Sequence, residues 1–226
     1  MKGKRAHAAL AAVAILAVAA VAVAPDPGET ATAAESAKKK KKMKKGKKKP
    51  TRARTFQNAQ QLLIPDDPPG ASFPGQLDAT IRVGKKLKGL EVADADVSVR
   101  ITHPDTSDLD MFLIAPNGGT VGLAFDMGGQ PNNNAYGAGT ADCAGIPTTF
   151  SDETFNFLSN ASIINEPGEI LSPWAATVEP QGFPGPLNIV DGSRVRGTWT
   201  LRILDDANGD VGTLHCWKLR IKPRRP

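Results

Sequence analysis

Apolar and polar positions alternate with a period of two in short runs spread over the second two-thirds of the chain. Trp199, Leu201 and Ile203 alternate with Thr198, Thr200 and Arg202, and Trp217, Leu219 and Ile221 with Cys216, Lys218 and Arg220. This is the pattern of half-buried strands, one face inward and one outward. Val97, Val99 and Ile101 repeat it, and Ala79 to Val83, Met111 to Ala115, Val121 to Phe125 and Thr148 to Phe157 add shorter runs. Between them lie turn-forming clusters such as Pro116-Asn117-Gly118-Gly119, the Gly/Asn-rich stretch 128–145 and the Pro-rich stretch 165–186. No segment sustains a 3.6-residue period. Many short strands with Gly/Pro turns predict an all-β protein, a jelly-roll β-sandwich of about 8–9 antiparallel strands.

The last two runs, joined by the acidic connector DDANGDVG, read as a hairpin. Each carries one Trp at an inward position, so Trp199 and Trp217 are expected to anchor the core. The folded domain is expected over residues 77–222, with a tail at 223–226.

The N-terminal third has a different composition. Met1 to Arg5 carries three basic residues, and an unbroken apolar run follows from Ala8 to Ala24. Small residues at Ala20, Ala22 and Ala24 offer a cleavage site, so residues 1–24 read as a secretory signal peptide, in preference to a membrane anchor. Export to the outside or to the cell surface is the expected localisation. In an oxidising compartment an even pair of cysteines, Cys143 and Cys216, is expected to form a disulfide. By the chain-entropy model such a link stabilises by roughly 4 kcal/mol.

Charge divides the chain in the same place. Residues 1–75 hold 15 Lys+Arg and 5 Asp+Glu, a net of +10, whereas residues 76–226 hold 13 and 18, a net of −5. The basic excess belongs to the leader and to Lys38–Lys49, where ten of twelve residues are lysine. Such a block repels itself and is expected to be part of a disordered arm over residues 25–76. It reads as a spacer, or as an adhesive tract for anionic cell-wall polymers or lipid headgroups. Specific nucleic-acid binding would need the excess on the folded part, and is not expected.

Three segments carry a family resemblance: VRITHPDTSDLDMFLIAPNGGTVGL (Val99 to Leu123), TFSDE (Thr149 to Glu153) and GTWTLRILDDANGDVGTLHCWKLRI (Gly197 to Ile221). In this order they resemble the P domain, or P/Homo B domain, of kexin- and furin-like proprotein convertases and related bacterial subtilases. The marker residues are His103 with Asp108-Leu109, the Ala115-Pro116-Asn117-Gly118 turn, Gly197-Thr198-Trp199, and Gly209-Asp210 followed by Gly212, Leu214 and Trp217. The resemblance implies a jelly roll that packs beside a subtilisin-like catalytic domain, supports its folding and stability, and contains no catalytic residue. A subtilase needs an Asp, a His and a Ser. Neither His103 nor His215 lies in an HGT-like context, and no GTSMA-like segment is present. The expectation is therefore a non-catalytic accessory protein, with a subtilase-like protease as partner in trans. The competing expectation is a calcium-dependent cell-surface adhesion or glycan-binding module.

Two acidic clusters read either as turn chemistry, in which Asp and Asn cap tight turns without metal, or as ligands of a calcium cofactor. Asp105, Asp108 and Asp110 precede one strand, and Asp205, Asp206, Asn208 and Asp210 fill the last connector. Asp206-x-Asn208-x-Asp210 has the alternate-oxygen spacing that wraps a hard cation, without the later Glu of an EF-hand. Asp108, Asp110, Asp206 and Asp210 are the expected ligands. His103 and His215 are expected to be hydrogen-bonded strand residues, and Trp174 a lid on the core. Asp152 and Glu153, adjacent on one strand, face opposite sides and cannot act on one bond.

Overall fold

The structure, a computed structural model, describes residues 51–226 apart from 71, 129–134, 161–165 and 183–184. The signal peptide and Lys38–Lys49 lie outside the described residues. So does part of the Asn160-Ala161-Ser162 glycosylation sequon.

In chain order the strands are β1 (Arg54–Asn58), β2 (Leu62–Ile64), β3 (Gly75–Val83), β4 (Glu91–Thr102), β5 (Leu109–Ile114), β6 (Thr120–Ala124), β7 (Ala135–Tyr136), β8 (Thr148–Phe150), β9 (Phe157–Leu158), β10 (Glu169–Ile170), β11 (Thr177–Val178), β12 (Gly197–Asp205) and β13 (Gly212–Arg224). Helical structure among the described residues is confined to three short 3-10 turns. One sheet runs β1-β13-β4-β8-β11, with β2 also on β13 and β7 on β4; the other runs β3-β12-β5-β6. Pairing is antiparallel except for two short parallel ladders, β8 with β11 and β9 with β10. The fold is all-β, as expected. The strands outnumber those expected because two- and three-residue ladders leave no periodic signal.

The inward faces of the two main sheets share one core. Along β12, Trp199, Leu201 and Ile203 are fully buried while their neighbours are half-buried or exposed. On β13, Trp217, Leu219 and Ile221 are also fully buried. Each Val, Leu or Ile taken out of water stabilises by about 1.5–3 kcal/mol, so these strands carry much of the core energy. Trp199 Nε1 donates to Val195 O at 3.0 Å, and Trp174, also fully buried, donates to Ser159 O at 3.1 Å.

Two expectations are corrected. The segment Gly197 to Ile221 is not a hairpin: β12 pairs with β3 and β5, whereas β13 pairs with β1, β2 and β4. Its two tryptophans enter the shared core from different sheets, and the acidic connector is a corner that carries the chain from one sheet to the other. Alternation reports that a run is a strand but not which strand it pairs with. The second correction concerns the arm. Residues 54–64 are not disordered, because β1 and β2 add to β13 with Phe56 opposite Leu219 and Ile64 opposite Gly212. Ile64 is fully buried and Phe56 half-buried, so the folded part starts well before Leu77.

Candidate cation-binding site

The corner between β12 and β13 meets the end of β4 and the start of β5. The inward parity of β4, Val97, Val99 and Ile101, continues past the strand to His103, whose side chain is 0% exposed. The inward parity of β12 continues to Asp205, whose side chain is also 0% exposed. A polar residue at an inward position must find a partner, and these two find each other. His103 Nε2 lies 3.0 Å from Asp205 Oδ2 and 3.6 Å from Asp210 Oδ1, while Nδ1 lies 2.5 Å from the Asp105 carbonyl oxygen. Because a carbonyl only accepts, Nδ1 carries a proton and Nε2 is the atom turned toward the two carboxylates. The start of β13 closes on this ring. A Cβ on Gly212 would stand 2.3 Å from His103 Cδ2 and 2.9 Å from Thr102 O, so only glycine fits.

The surrounding chain is locked by its own polar atoms. Asp105 accepts from Ser107 N at 2.9 Å and caps the 3-10 turn Thr106–Asp108. Asp206 N donates to Asp108 O at 3.0 Å, Gly209 N to Asp66 Oδ1 at 3.0 Å, and Asn208 Nδ2 to Asp67 O at 2.8 Å. Carboxylates are thereby crowded. Burial, with Asp105 and Asp210 adding, pushes Asp108 up to about 6. Burial, then Asp126 and Asp206, pushes Asp110 up to about 6. Burial also raises Asp205 and Asp206. His103 opposes the rise at Asp108 and Asp205.

The four residues expected to bind calcium do not form one set. Asp210 joins His103 and Asp205, and one ligand atom from each of these three lies within 4.8 Å of the others. Asp108 adjoins that group through its charge. Asp110 is instead raised by burial and then by Asp126 and Asp206, and Asp206 by burial and then by Asp126, an exposed residue in the left-handed region at φ 48°. His103 and Asp205 were missing from the expected ligand set, although their inward parity on alternating strands was the readable signal.

Elsewhere, Cys143 and Cys216 are joined with a Cα–Cα distance of 5.2 Å. Asp152 accepts from the amides of Leu187 and Asn188, which ties it to backbone. His215 Nε2 lies 2.8 Å from Thr102 Oγ1, the contact of a base with a hydroxyl. Its Nδ1 has no hydrogen-bond partner, so no acid orients it as a catalytic triad requires. Burial and then the Arg100 guanidinium hold this imidazole below its usual range. At the far end of β12, a cavity of about 860 Å³ is rimmed by Arg82, Lys85, Lys88, Arg194 and Arg196. None of the five is in an ion pair among the described residues.

The sequence model of the family described as proprotein convertase P-domain matches residues 174–221. That stretch runs from the buried Trp174 through β12 and the acidic corner into β13, and it bears out the resemblance read from the sequence. No curated protein matches the chain. Among solved structures, the serine protease of Aeromonas sobria is similar at 17% identity and a TM-score of 0.38, over 74% of this chain and 27% of that one. The same protease in complex with a chaperone gives the same values. The chain thus spans about a quarter of the length of the solved structures it matches.

Proposed function

We propose that this protein is a secreted, non-catalytic accessory module that binds and stabilises a subtilisin-like protease in trans. The observation that carries this reading is the P-domain match over residues 174–221, because those residues build both the core and the acidic corner. P domains support subtilisin-like catalytic domains without supplying catalytic residues. The hydrogen bonding here agrees with that role. Of the two histidines among the described residues, His103 is buried between carboxylates, and His215 has no hydrogen-bond partner at Nδ1. The leader Met1 to Ala24 supports export, and the Cys143–Cys216 link suits an oxidising compartment.

The test is capture from culture medium. The mature protein, immobilised, is exposed to medium in which active serine hydrolases carry a fluorophosphonate label. Retention of a labelled subtilisin-like protease is expected. Recovery of no labelled protease from medium that contains one would overturn the reading.

A second reading is favoured by the cation-rimmed cavity. Five unpaired cations around one concavity suit an anionic polymer, as in a cell-surface adhesion module. On that reading the adhesive tract Lys38–Lys49 would act with the cavity. A calcium dependence on that reading would rest on the expected ligands Asp108, Asp110, Asp206 and Asp210. Salt-sensitive retention on purified cell wall, surviving deletion of Lys38–Lys49, would favour it.

A further inference from the structure

We propose that His103, Asp205 and Asp210 form a zinc site at the corner where the chain crosses between sheets. The three ligand atoms are gathered within 4.8 Å of one another before any metal is added. The separations from His103 Nε2, 3.0 Å to Asp205 Oδ2 and 3.6 Å to Asp210 Oδ1, bracket the spacing of about 3.3 Å between ligands of a tetrahedral ion with bonds near 2.0–2.2 Å.

An independent observation points to an occupant. The Asp205 side chain is fully buried, and its Oδ1 has no hydrogen-bond partner. Asp210 Oδ1 is likewise buried and without one. Native structures rarely leave such oxygens unsatisfied. Two buried carboxylate oxygens in this condition, on residues gathered around one imidazole, leave capacity for a cation.

The donor set selects the metal class. Calcium and magnesium take oxygen ligands, whereas an imidazole with two carboxylates suits zinc and its neighbours. His103 is also prepared as a metal ligand. Its Nδ1–H is held by the Asp105 carbonyl oxygen, which fixes the tautomer that presents Nε2. Gly212 lets β13 pack against the ring and prevents it from turning away. Beside His103 lies an open groove of about 340 Å³, lined also by Thr102, Pro104, Val211 and Thr213.

The test uses the full mature protein, stripped with chelator and titrated with ZnCl2 alone. Zinc at about 100-fold above its Kd is expected to raise Tm by about 5–10 °C. A Co2+ probe should give the visible d–d bands of a low-symmetry site with nitrogen ligation. Asp210→Asn, at a partly exposed position that tolerates change, should abolish both signals and still fold. His103→Asn should do the same if it folds, and Asp110→Asn should keep both. Three results would overturn the proposal: no zinc-dependent shift, a shift that survives Asp210→Asn, or a shift given by CaCl2 and not by ZnCl2. The last would mean that the cation site is one of oxygen ligands and not the His103 group. The first would leave His103 and Asp205 as a proton-bridged pair.

Discussion

The two ends of β12 carry opposite charge and treat it in opposite ways. At Asp205 the carboxylates crowd around one buried imidazole, and backbone amides and side chains bind them into the fold. About 26 Å away, eight residues along an extended strand, Gly197 and Thr198 border the cavity whose five cations are exposed and unpaired. A charge locked into the fold is costly to remove because its partner stays behind, buried and unsatisfied. A charge on an exposed rim costs little to remove, because water already solvates it. Substitutions at the first end should therefore be read in stability, and at the second in binding. The contrast also shows why the chain's +5 net charge says little about its surface: the folded part is acidic overall and still keeps a basic end.

The sharpest way to break this contrast is Asp205→Ala. Removing one member of a buried pair should cost about 3–5 kcal/mol, measured by urea unfolding. A loss within about 0.5 kcal/mol, the range of an ordinary surface change, would mean that the corner is solvated like the cavity. Next comes the disulfide. Cys143→Ser with Cys216→Ser opens a loop of 73 residues and should cost roughly 4 kcal/mol on the chain-entropy model, less if the reduced chain retains structure. Gly212→Ala should cost about 1–3 kcal/mol through its clash with His103 and the Thr102 carbonyl, while the same change at Gly209, whose Cβ position is open, should be limited to backbone strain.

A smaller effect should appear in pH. Asp108 and Asp110 hold their protons up to about pH 6, whereas in the unfolded chain they lose them near 3.8. Between these values the folded state binds more protons than the unfolded one, so metal-free stability should fall as pH rises from about 4 to 6. Asp110→Asn should flatten that slope. A metal-free Tm that rises across the same window would contradict the crowding of the corner. The least effect on stability, under about 0.5 kcal/mol, is expected for Arg82→Gln, Arg194→Gln and Arg196→Gln together. Retention on an anionic polymer, if the cavity serves that role, should drop in the same variant.

Much of this organisation was readable before any coordinates. Alternation around Trp199 and Trp217 marked the strands, and the Ala115-Pro116-Asn117-Gly118 segment marked the turn between β5 and β6. The partnership of those strands was not readable, because periodicity is local and sheet pairing depends on residues more than a hundred positions apart. Phe56 to Ile64 reads as a short strand or a helical turn, and its place on β13 was not readable for a related reason. An edge strand with one half-buried Phe has little pattern of its own, and its stability comes from the β13 edge it covers. A register shift between Leu214 and Cys216 breaks the alternation there, which placed His215 and Cys216 together among the buried residues. In the site, the acidic spacing pointed to the right corner but drew attention to the connector. The two residues that form its centre, His103 and Asp205, were legible only as polar residues at inward positions of strands.

On the function proposed above, the chain steadies a protease and does not itself cut peptides. The most direct measurement is the thermal inactivation half-life of a subtilisin-like protease from the same culture medium, with and without the purified protein at equal molar ratio. The account predicts a half-life several-fold longer with the protein present, and no peptidase turnover by the protein alone. An unchanged half-life, or turnover abolished by mutating a serine or threonine of this chain, would contradict it.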